Sequence, residues 1–167
     1  MANDSMKYSM KNEIKKGFLC VLCASVAKNI GHRDMEILKM AECDLNNLNI
    51  ITQKIISCAI EVHRILGPGL LESLYEKALC YEFDIKKIAY QSQVSVPVIY
   101  KQKVIGDYRI DLLVEDEIIV ELKAADRLER VFEAQLLSYL KITSKKLGLL
   151  INFNVPVLKD GIKRIIL

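Results

Sequence analysis

The sequence predicts an α/β fold, a sandwich of helices around a mixed central sheet. Three observations predict it. Apolar residues recur at helical spacing in residues 49–66 and 127–143. Two β-rich runs, Tyr108–Val114 and Ile118–Lys123, flank a polar triplet in the manner of a β-hairpin. Further β-rich runs precede and follow this hairpin, which gives the order α-α-β-β-β-α-β-β.

Length and composition predict one soluble globular domain with a full core. The 167 residues are 51% hydrophobic and 27% charged, which is ordinary for this class. The net charge of +3 is too small to indicate a nucleic-acid partner by itself, so function must be argued from a site. We interpret the cysteines as free thiols in a reducing compartment, the cytoplasm. The alternative, a zinc site, matches no familiar spacing; it would use Cys20, Cys23, His32 and Cys43.

Residues 1–45 are patterned unlike the remainder of the chain. Basic residues precede the apolar run Gly17–Ala27, which is too short to span a bilayer but resembles a signal peptide. Acidic residues at its start argue against secretion, and we predict no membrane association. We interpret this segment as a leader or gene-model extension, with a natural start at Met35 or Met40. The predicted domain is then residues 46–167.

The first predicted helix of the domain covers Asn49–Leu66 and ends at the break Gly67–Gly69. Asn49 or Thr52 is expected to cap it. The residues at helical spacing that are predicted to form its buried, largely apolar face are Ile51, Ile55, Ile56, Ala59, Ile60, Val62, His63 and Leu66. We interpret His63 as a core or boundary histidine with a satisfied ring rather than as a catalytic group.

The second predicted helix extends from Leu70 to about Phe83. It carries Glu72 in its first turn, where the helix dipole favours a negative charge, so a purely structural role is one interpretation. Tyr75 shares a face with Glu72 and is interpreted as a packing residue with a hydrogen-bonded hydroxyl. The apolar face is predicted to consist of Leu71, Leu74, Ala78 and Leu79.

The β elements and the last helix follow from local pattern. Alternation predicts a strand over Val94–Tyr100, in which a proline indicates an edge or bulged position, and a turn over Lys101–Gly106. Beyond the hairpin, Arg127–Thr143 is predicted to be helical and Leu147–Phe153 to be a buried strand. A last short strand is predicted at Ile162–Ile166.

The hairpin brings charged residues together. If the polar triplet forms the turn, Val114 faces Ile118. Counting back along both strands then places Asp111 opposite Glu121. Because side chains alternate along a strand, Lys123 leaves the same face as both carboxylates. Carboxylates roughly 5 Å apart repel each other unless a proton or cation lies between them. With an ammonium beside them they form a minimal set for Mg²⁺ chemistry on a phosphodiester.

Charged residues near a hairpin are usually solvated surface, and Glu115–Glu117 are interpreted in this way. Asp111 and Glu121 differ because they interrupt strands that are otherwise apolar. The opposite face of the hairpin is expected to bury against helices, and it comprises Ile110, Leu112, Val114, Val120 and Leu122.

The segment Gly69-Leu-Leu-Glu72-Ser-Leu-Tyr75 matches the motif that names the GxxExxY protein family. The runs IIVELKA and EAQLLSYLK also resemble that family, and the resemblance covers about residues 48–167. The family is grouped with the PD-(D/E)XK nuclease superfamily. The resemblance implies a restriction-endonuclease-like αβββαβ core, a mixed sheet flanked by helices, preceded by an extra N-terminal helix.

The resemblance also implies a site. Glu72, Asp111, Glu121 and Lys123 match the catalytic positions, although Ile110 stands where the superfamily motif has proline. The implied ligands of Mg²⁺ or Mn²⁺ are the carboxylates of Glu72, Asp111 and Glu121 and the backbone carbonyl of Leu122. A Q-x-x-x-Y motif resembles that of RecB-like nucleases, and it implies a substrate-positioning role for Gln135 and Tyr139.

Two functions of different class follow. The first is a metal-dependent nuclease that hydrolyses phosphodiester bonds, with DNA as the favoured nucleic acid. The second is a non-catalytic nucleic-acid or protein binding module that retains the nuclease fold. A protein partner or a homo-oligomer is compatible with either, because the sequence shows no separate substrate domain. The close carboxylate pair beside a lysine favours the nuclease, since a binding module does not need it.

Overall fold

A computed structural model of the chain describes residues 32–167, with side chains from Cys43 onward. The signal-peptide-like run Gly17–Ala27 and the first two cysteines of the zinc alternative lie outside the described residues. Residues Asn46–Leu167 form one compact unit. Most of the predicted leader also lies outside the described residues, and its exclusion from the domain stays a prediction.

The described residues form helices and strands in the predicted order. The helices are α1 (His32–Leu66), α2 (Glu72–Lys86) and α3 (Arg130–Thr143). The strands are β1 (Tyr90–Tyr100), β2 (Lys103–Val114), β3 (Ile118–Lys123), β4 (Leu147–Asn152) and β5 (Ile162–Ile166). A short 3₁₀ helix, Leu158–Gly161, precedes the last strand.

The strands form a single mixed sheet in the spatial order β1-β2-β3-β4-β5. Only β3 and β4 pair in parallel, and α3 provides the crossover connection that a parallel pair needs. The other neighbours are antiparallel. Helices α1 and α2 pack on one face of the sheet, whereas α3 packs on the other, so the sheet separates two apolar clusters. The predicted α/β class and mixed sheet are confirmed.

Helix α1 starts well before the predicted residue. Asn49 lies inside the helix and accepts a hydrogen bond from Arg164 in β5 (2.8 Å), and Thr52 is buried, so the predicted caps are wrong. Ile60 and Leu66 are exposed rather than buried because the helix presents only one stripe to the sheet. His63 behaves as expected: its Nε2 lies 2.8 Å from the carbonyl oxygen of Val155.

Helix α2 buries a different face from the predicted one. Tyr75, Leu79 and Phe83 are buried at i, i+4 and i+8, whereas Leu71 and Leu74 are 72% and 43% exposed. The prediction for these two leucines is wrong because α2 turns Tyr75 toward the core, where its ring stacks on that of the distant Phe153.

Tyr75 fastens the start of α2 to the sheet. Its ring stacks on that of Phe153, with centroids 4.5 Å apart. Its hydroxyl donates to the carbonyl of Gly67 (2.6 Å) and accepts from the N–H of Leu70 (3.1 Å). The predicted packing role with a satisfied hydroxyl is confirmed, and these bonds shape the glycine-rich turn that leads to Glu72.

The β1–β2 hairpin is longer than predicted. Its turn consists only of Lys101 and Gln102, which both have positive φ angles of 44° and 69°, so most of the predicted 101–106 turn is strand. A β-bulge interrupts the register between Val98 and Ile99. We call residues 97–109 the ribbon; from Ile99 onward every one of them is exposed.

The β2–β3 hairpin has the predicted register, with Val114 opposite Ile118. Glu115 and Asp116 form its turn with φ angles of 53°, and both are exposed as expected. The predicted apolar face is buried against α1 and α2, with one exception: Ile110 belongs to the cluster on the α3 side.

The exception coincides with an irregularity in the neighbouring strand β1. Gln93 lies opposite Asp111 but has a φ of 54°, and no pairing connects the two positions. The regular alternation of side chains therefore breaks at Asp111. Ile110 and Leu112, which flank the break, face opposite helix layers. Asp111 thus occupies an irregular point in the sheet rather than a regular strand position.

The last helix and strands agree with the prediction except at their ends. Helix α3 begins at Arg130 rather than Arg127, and Val131 and Ile142 on its outer side are exposed. Strand β4 is buried along its whole length, and β5 has the predicted bounds.

The cysteines in the described part of the chain are free thiols. Cys58 is buried, Cys80 is partly buried, and Cys43 is exposed. No helix within residues 32–167 combines the length and apolar character needed to cross a membrane.

Candidate active site

The candidate site lies where β2 and β3 separate. Their last regular pair is Leu112 with Val120, one position before Asp111 and Glu121 would face each other. Instead of a backbone bond between strands, the Oδ2 atom of Asp111 accepts a hydrogen bond from the N–H of Leu122 (2.8 Å). A carboxylate therefore fills the gap between the two central strands.

The backbone of β3 turns a carbonyl toward this gap. The carbonyl of Lys123 accepts a hydrogen bond from Phe153 beyond β4 (2.8 Å), so Lys123 points its backbone groups away from β2. Successive residues of a strand point these groups to alternate sides. The N–H and the carbonyl of Leu122 therefore both face the side of Asp111, where the sequence prediction had placed a backbone ligand.

Lys123 connects the two strands with α2. Its Nζ lies 2.8 Å from Oε1 of Glu121 and 3.9 Å from Oε1 of Glu72. The ammonium also lies over the ring of Phe132 in α3, 5.3 Å from the centroid. The Lys123 side chain is largely buried, and that of Glu121 almost completely. The site thus receives groups from the sheet and from both helix layers.

Burial shifts the proton affinities of the carboxylates. It raises the pKa of Glu121 to about 7, and the nearby charge of Asp111 adds to the rise, while Lys123 opposes it. Burial also raises the pKa of Asp111, against the hydrogen bond from Leu122, and the pKa of Glu72, against the charge of Lys123. Three carboxylates share one ammonium, so the site is short of positive charge.

Glu121 keeps one oxygen atom without a partner. Its Oε2 is buried and has no hydrogen-bond partner among the described residues. Buried polar atoms without partners are rare and costly in folded proteins. For Lys123, burial alone would lower the pKa, but the hydrogen bond to Glu121 and the surrounding carboxylates raise it, so the lysine remains an ammonium.

Glu72 reaches the site from the first residue of α2. The helix begins there without a side-chain cap, and Glu72 is the acidic residue of its first turn, as predicted. The backbone N–H of Ala124, the residue after β3, acts to lower the pKa of Glu72, against the larger effect of burial. Glu72 therefore combines the favourable position at a helix start with a direct connection to the Lys123 segment.

Gln135 and Tyr139 lie together on the α3 side of the site. The Nε2 of Gln135 donates to the hydroxyl of Tyr139 (2.5 Å). Burial raises the pKa of Tyr139, and the negative charges of Glu121 and Asp111 act in the same direction, so the phenol lies within electrostatic reach of both carboxylates. The structure thus joins the two residues of the Q-x-x-x-Y motif by a hydrogen bond, and the charges of both carboxylates act on the pKa of Tyr139.

The comparison with known families agrees with this arrangement. The profile of the PD-(D/E)XK nuclease superfamily matches residues 49–165 of the chain. The chain belongs to the PD-(D/E)XK nuclease superfamily. No curated protein and no solved structure gives a match. The match does not distinguish subfamilies, so the resemblance to GxxExxY proteins stays a prediction.

Membership of the PD-(D/E)XK superfamily explains the architecture. The elements from α2 to β4 run α-β-β-β-α-β, which is the restriction-endonuclease-like order, and α1 is the extra N-terminal helix. Members of the superfamily are typically hydrolytic nucleases that use divalent metals. Where the motif has proline, this PD-(D/E)XK protein has Ile110, which is buried against α3.

Sequence reasoning missed Asn152. This residue is fully buried at the end of β4, beside Lys123 in the parallel pair. Its amide donates to the carbonyl of Ala125 (2.7 Å) and accepts from the N–H of Ala125 (3.1 Å) and of Asn154 (3.1 Å). Asn152 therefore holds the segment that carries Lys123 and contacts Glu72. The available signal was an amide at the end of a wholly apolar strand.

The donor set fits a hard divalent cation, although its geometry is not that of a finished metal centre. Among the described residues, no three His, Cys, Asp or Glu side chains already surround one position. The unpartnered Oε2 of Glu121, the carboxylate of Asp111 and the carbonyl of Leu122 nevertheless supply oxygen atoms of the kind that Mg²⁺ and Mn²⁺ prefer. The excess of negative charge favours a cation at the same place.

Proposed function

We propose that this protein is a metal-dependent nuclease that hydrolyses phosphodiester bonds of DNA. The observation that carries the proposal is the convergence of Asp111, Glu121 and Lys123 where β2 and β3 separate, with one buried Glu121 oxygen lacking a partner. Membership of a superfamily of typically hydrolytic nucleases supports the same conclusion. Two carboxylates held close together beside a buried ammonium lower the stability of the fold. Such arrangements, with their shifted pKa values, are typical of catalytic sites.

Asp111, Glu121 and the carbonyl of Leu122 would hold Mg²⁺ or Mn²⁺, and Glu72 would complete the ligand set directly or through water. When bound, such an ion acidifies a water molecule and offsets the charge of the phosphate. Glu121 must be ionised to act as a ligand. Because its pKa is about 7, metal affinity should rise between slightly acidic and slightly alkaline pH.

Lys123 supplies a fixed positive donor. Its ammonium would donate to a phosphate oxygen that gains charge in the transition state, or would orient the attacking water. The contact with Phe132 and the ion pair with Glu121 restrict the positions of this ammonium. Gln135 and Tyr139 would support the same region from α3, and Asn152 would fix the backbone that follows Lys123.

One observation favours the second function, a binding module without turnover. Glu121 already has a counterion in Lys123 at 2.8 Å, and the described residues contain no finished three-carboxylate cluster. In that case the charged residues would only stabilise the fold or contact a nucleic-acid or protein partner. The two functions differ in whether Lys123 is needed for bond cleavage.

The test is cleavage of labelled single- and double-stranded DNA and RNA in Mn²⁺, Mg²⁺ or EDTA. We expect metal-dependent cleavage of DNA by the wild type and at least a hundredfold slower cleavage by Lys123→Ala, the scale on which lost transition-state donors act. Lys159→Ala, at an exposed lysine outside the site, is the matched control and should cleave normally. Equal rates for Lys123→Ala and wild type, or no cleavage of any substrate by the wild type, would refute the nuclease proposal.

A further inference from the structure

The ribbon exposes apolar side chains that contribute nothing to the core. Ile99, Tyr100, Val104 and Ile105 are between 56% and 64% exposed. Tyr100 pairs with Lys103 and Ile99 pairs with Val104, so by strand alternation these pairs occupy opposite faces of the ribbon. Ile105 lies at the bulge, outside the register. Exposed apolar side chains on both faces of one projecting ribbon are the kind of surface that binds a partner.

The charges of the ribbon indicate what kind of partner it fits. Lys101, Lys103 and Arg109 are basic and exposed, whereas Asp107 is the only acidic residue in the segment. Among the described residues none of the three basic side chains forms an ion pair; the ammonium of Lys101 lies over the ring of Tyr100, 5.4 Å from its centroid. Unpaired cations between apolar side chains suit a polyanion that also offers apolar edges, which is the chemistry of nucleic acid.

The ribbon leaves the core beside the carboxylate site. The ring of Tyr108 at its base meets that of Tyr139 edge-on, with centroids 5.1 Å apart. Tyr139 is in turn within electrostatic reach of Glu121 and Asp111. Asp111 also follows directly along β2. A molecule bound along the ribbon would therefore extend toward the carboxylates at the base of the ribbon.

The dimensions of the ribbon distinguish between nucleic acids. At about 3.3 Å per residue, its outer part from Tyr108 to Lys101 reaches roughly 20 Å from the core, and its two strands lie about 4.8 Å apart. A two-stranded ribbon fits the major groove of B-form DNA, about 12 Å wide, but not the minor groove, about 6 Å wide. The major groove of double-stranded RNA is too deep and narrow for side chains to read.

We propose that the ribbon binds in the major groove of double-stranded DNA and holds the duplex against the carboxylate site. Lys101 and Lys103 contact phosphates on the groove walls, while Ile99 and Ile105 contact base edges such as thymine methyl groups. The inference rests on the proposed function and deepens it, because it assigns B-form duplex DNA as the substrate class.

The test measures binding separately from cleavage. A fluorescein-labelled duplex DNA, the duplex RNA of the same sequence and the single strand are titrated in EDTA with the full chain, and anisotropy gives the dissociation constants. Two double variants remove the two kinds of contact: Lys101→Ser with Lys103→Ser, and Ile99→Ser with Ile105→Ser. The matched controls lie on other exposed surfaces and are Lys159→Ser and Ile60→Ser.

We expect the wild type to bind duplex DNA more tightly than either other nucleic acid. The lysine pair should weaken duplex binding about tenfold and reduce the slope of log K against log salt by about two. The isoleucine pair should weaken it about tenfold with an unchanged salt slope. Both controls should bind like the wild type. Since the ribbon lies outside the core, all variants should keep the wild-type melting temperature.

Three results would overturn the inference. These are wild-type affinity in both ribbon variants, equal affinity of the wild type for duplex RNA, or no binding of DNA at all. In the first of these cases, loss of self-association of the ribbon variants in sedimentation would identify the ribbon as an interface between copies of the chain. Ribbon-dependent duplex binding without cleavage in Mn²⁺ would leave the inference standing and refute the nuclease alone.

Discussion

Glu121 causes the stability of the folded protein to fall as the pH rises, whereas most carboxylates in folded proteins have the opposite effect. Burial and the charge of Asp111 raise its pKa from 4.5 to about 7. The folded state therefore binds more protons than the unfolded chain between these two values, and stability falls as the pH rises through this window. The stability that protonated Glu121 contributes is fully present below about pH 4.5 and is lost above about pH 7. Glu121→Gln keeps the shape of the side chain but cannot ionise.

The size of the effect follows from the two pKa values. At 1.36 kcal/mol for each pH unit, a rise from 4.5 to about 7 corresponds to about 3 kcal/mol. In the metal-free protein, Glu121→Gln should match the stability of the wild type near pH 4.5 and exceed it by about 3 kcal/mol above pH 7. For a domain of this size that is on the order of 10 °C in melting temperature.

The assay is denaturation followed by circular dichroism in EDTA, at several pH values between 4.5 and 8. Glu117→Gln is the matched control, because Glu117 is exposed in the β2–β3 turn, and it should follow the wild type throughout. If Glu121→Gln is no more stable than the wild type at pH 8, Glu121 is not a repelled, buried carboxylate. The electrostatic description of the site would then be wrong.

Three further predictions concern the metal, the segment after β3 and the leader. A hundredfold excess of Mn²⁺ over its dissociation constant should stabilise the wild type by about 2.7 kcal/mol but leave Glu121→Ala unchanged; an equal response in thermal melts would contradict the metal site. Asn152→Ala should lower the free energy of unfolding by about 2 kcal/mol, because it leaves the backbone groups of Ala125 unpaired. Asn152→Ala should also lower the rate of DNA cleavage by more than the fraction of folded protein falls. A rate that falls only in proportion to the folded fraction would contradict the positioning role of Asn152. A chain that begins at Met40 should keep cooperative thermal unfolding, and loss of that cooperativity would show that the leader is integral.

Local patterns predicted the order of the elements and the register of the β2–β3 hairpin, in which Val114 lies opposite Ile118. They did so because strand alternation and helix periodicity are properties of neighbouring residues. They also predicted that Glu121 and Lys123 lie on one face, which requires nothing beyond the two-residue period of a strand. This part of the candidate site is a consequence of a single hairpin.

What the sequence did not predict depends on contacts between distant segments. Helix α2 buries the face that carries Tyr75, whose ring stacks on that of Phe153, and Leu71 and Leu74 are left exposed. Ile110 lies on the α3 side, and its partner in the neighbouring strand, Val94, directly follows the positive φ at Gln93. Asn152 was overlooked because its partners are backbone atoms on another loop, and an amide in an apolar strand does not identify its partners.

Cleavage of duplex DNA by Glu121→Gln tests the central claim most directly, because this variant should be the more stable protein and unfolding cannot explain a loss of activity. The measurement is the rate of cleavage of a labelled duplex in Mn²⁺ at pH 8, for the wild type and Glu121→Gln, each with an EDTA control. A carboxylate site for a catalytic cation predicts cleavage by the wild type that EDTA stops, and no measurable cleavage by Glu121→Gln. Cleavage by Glu121→Gln at the wild-type rate would contradict the account.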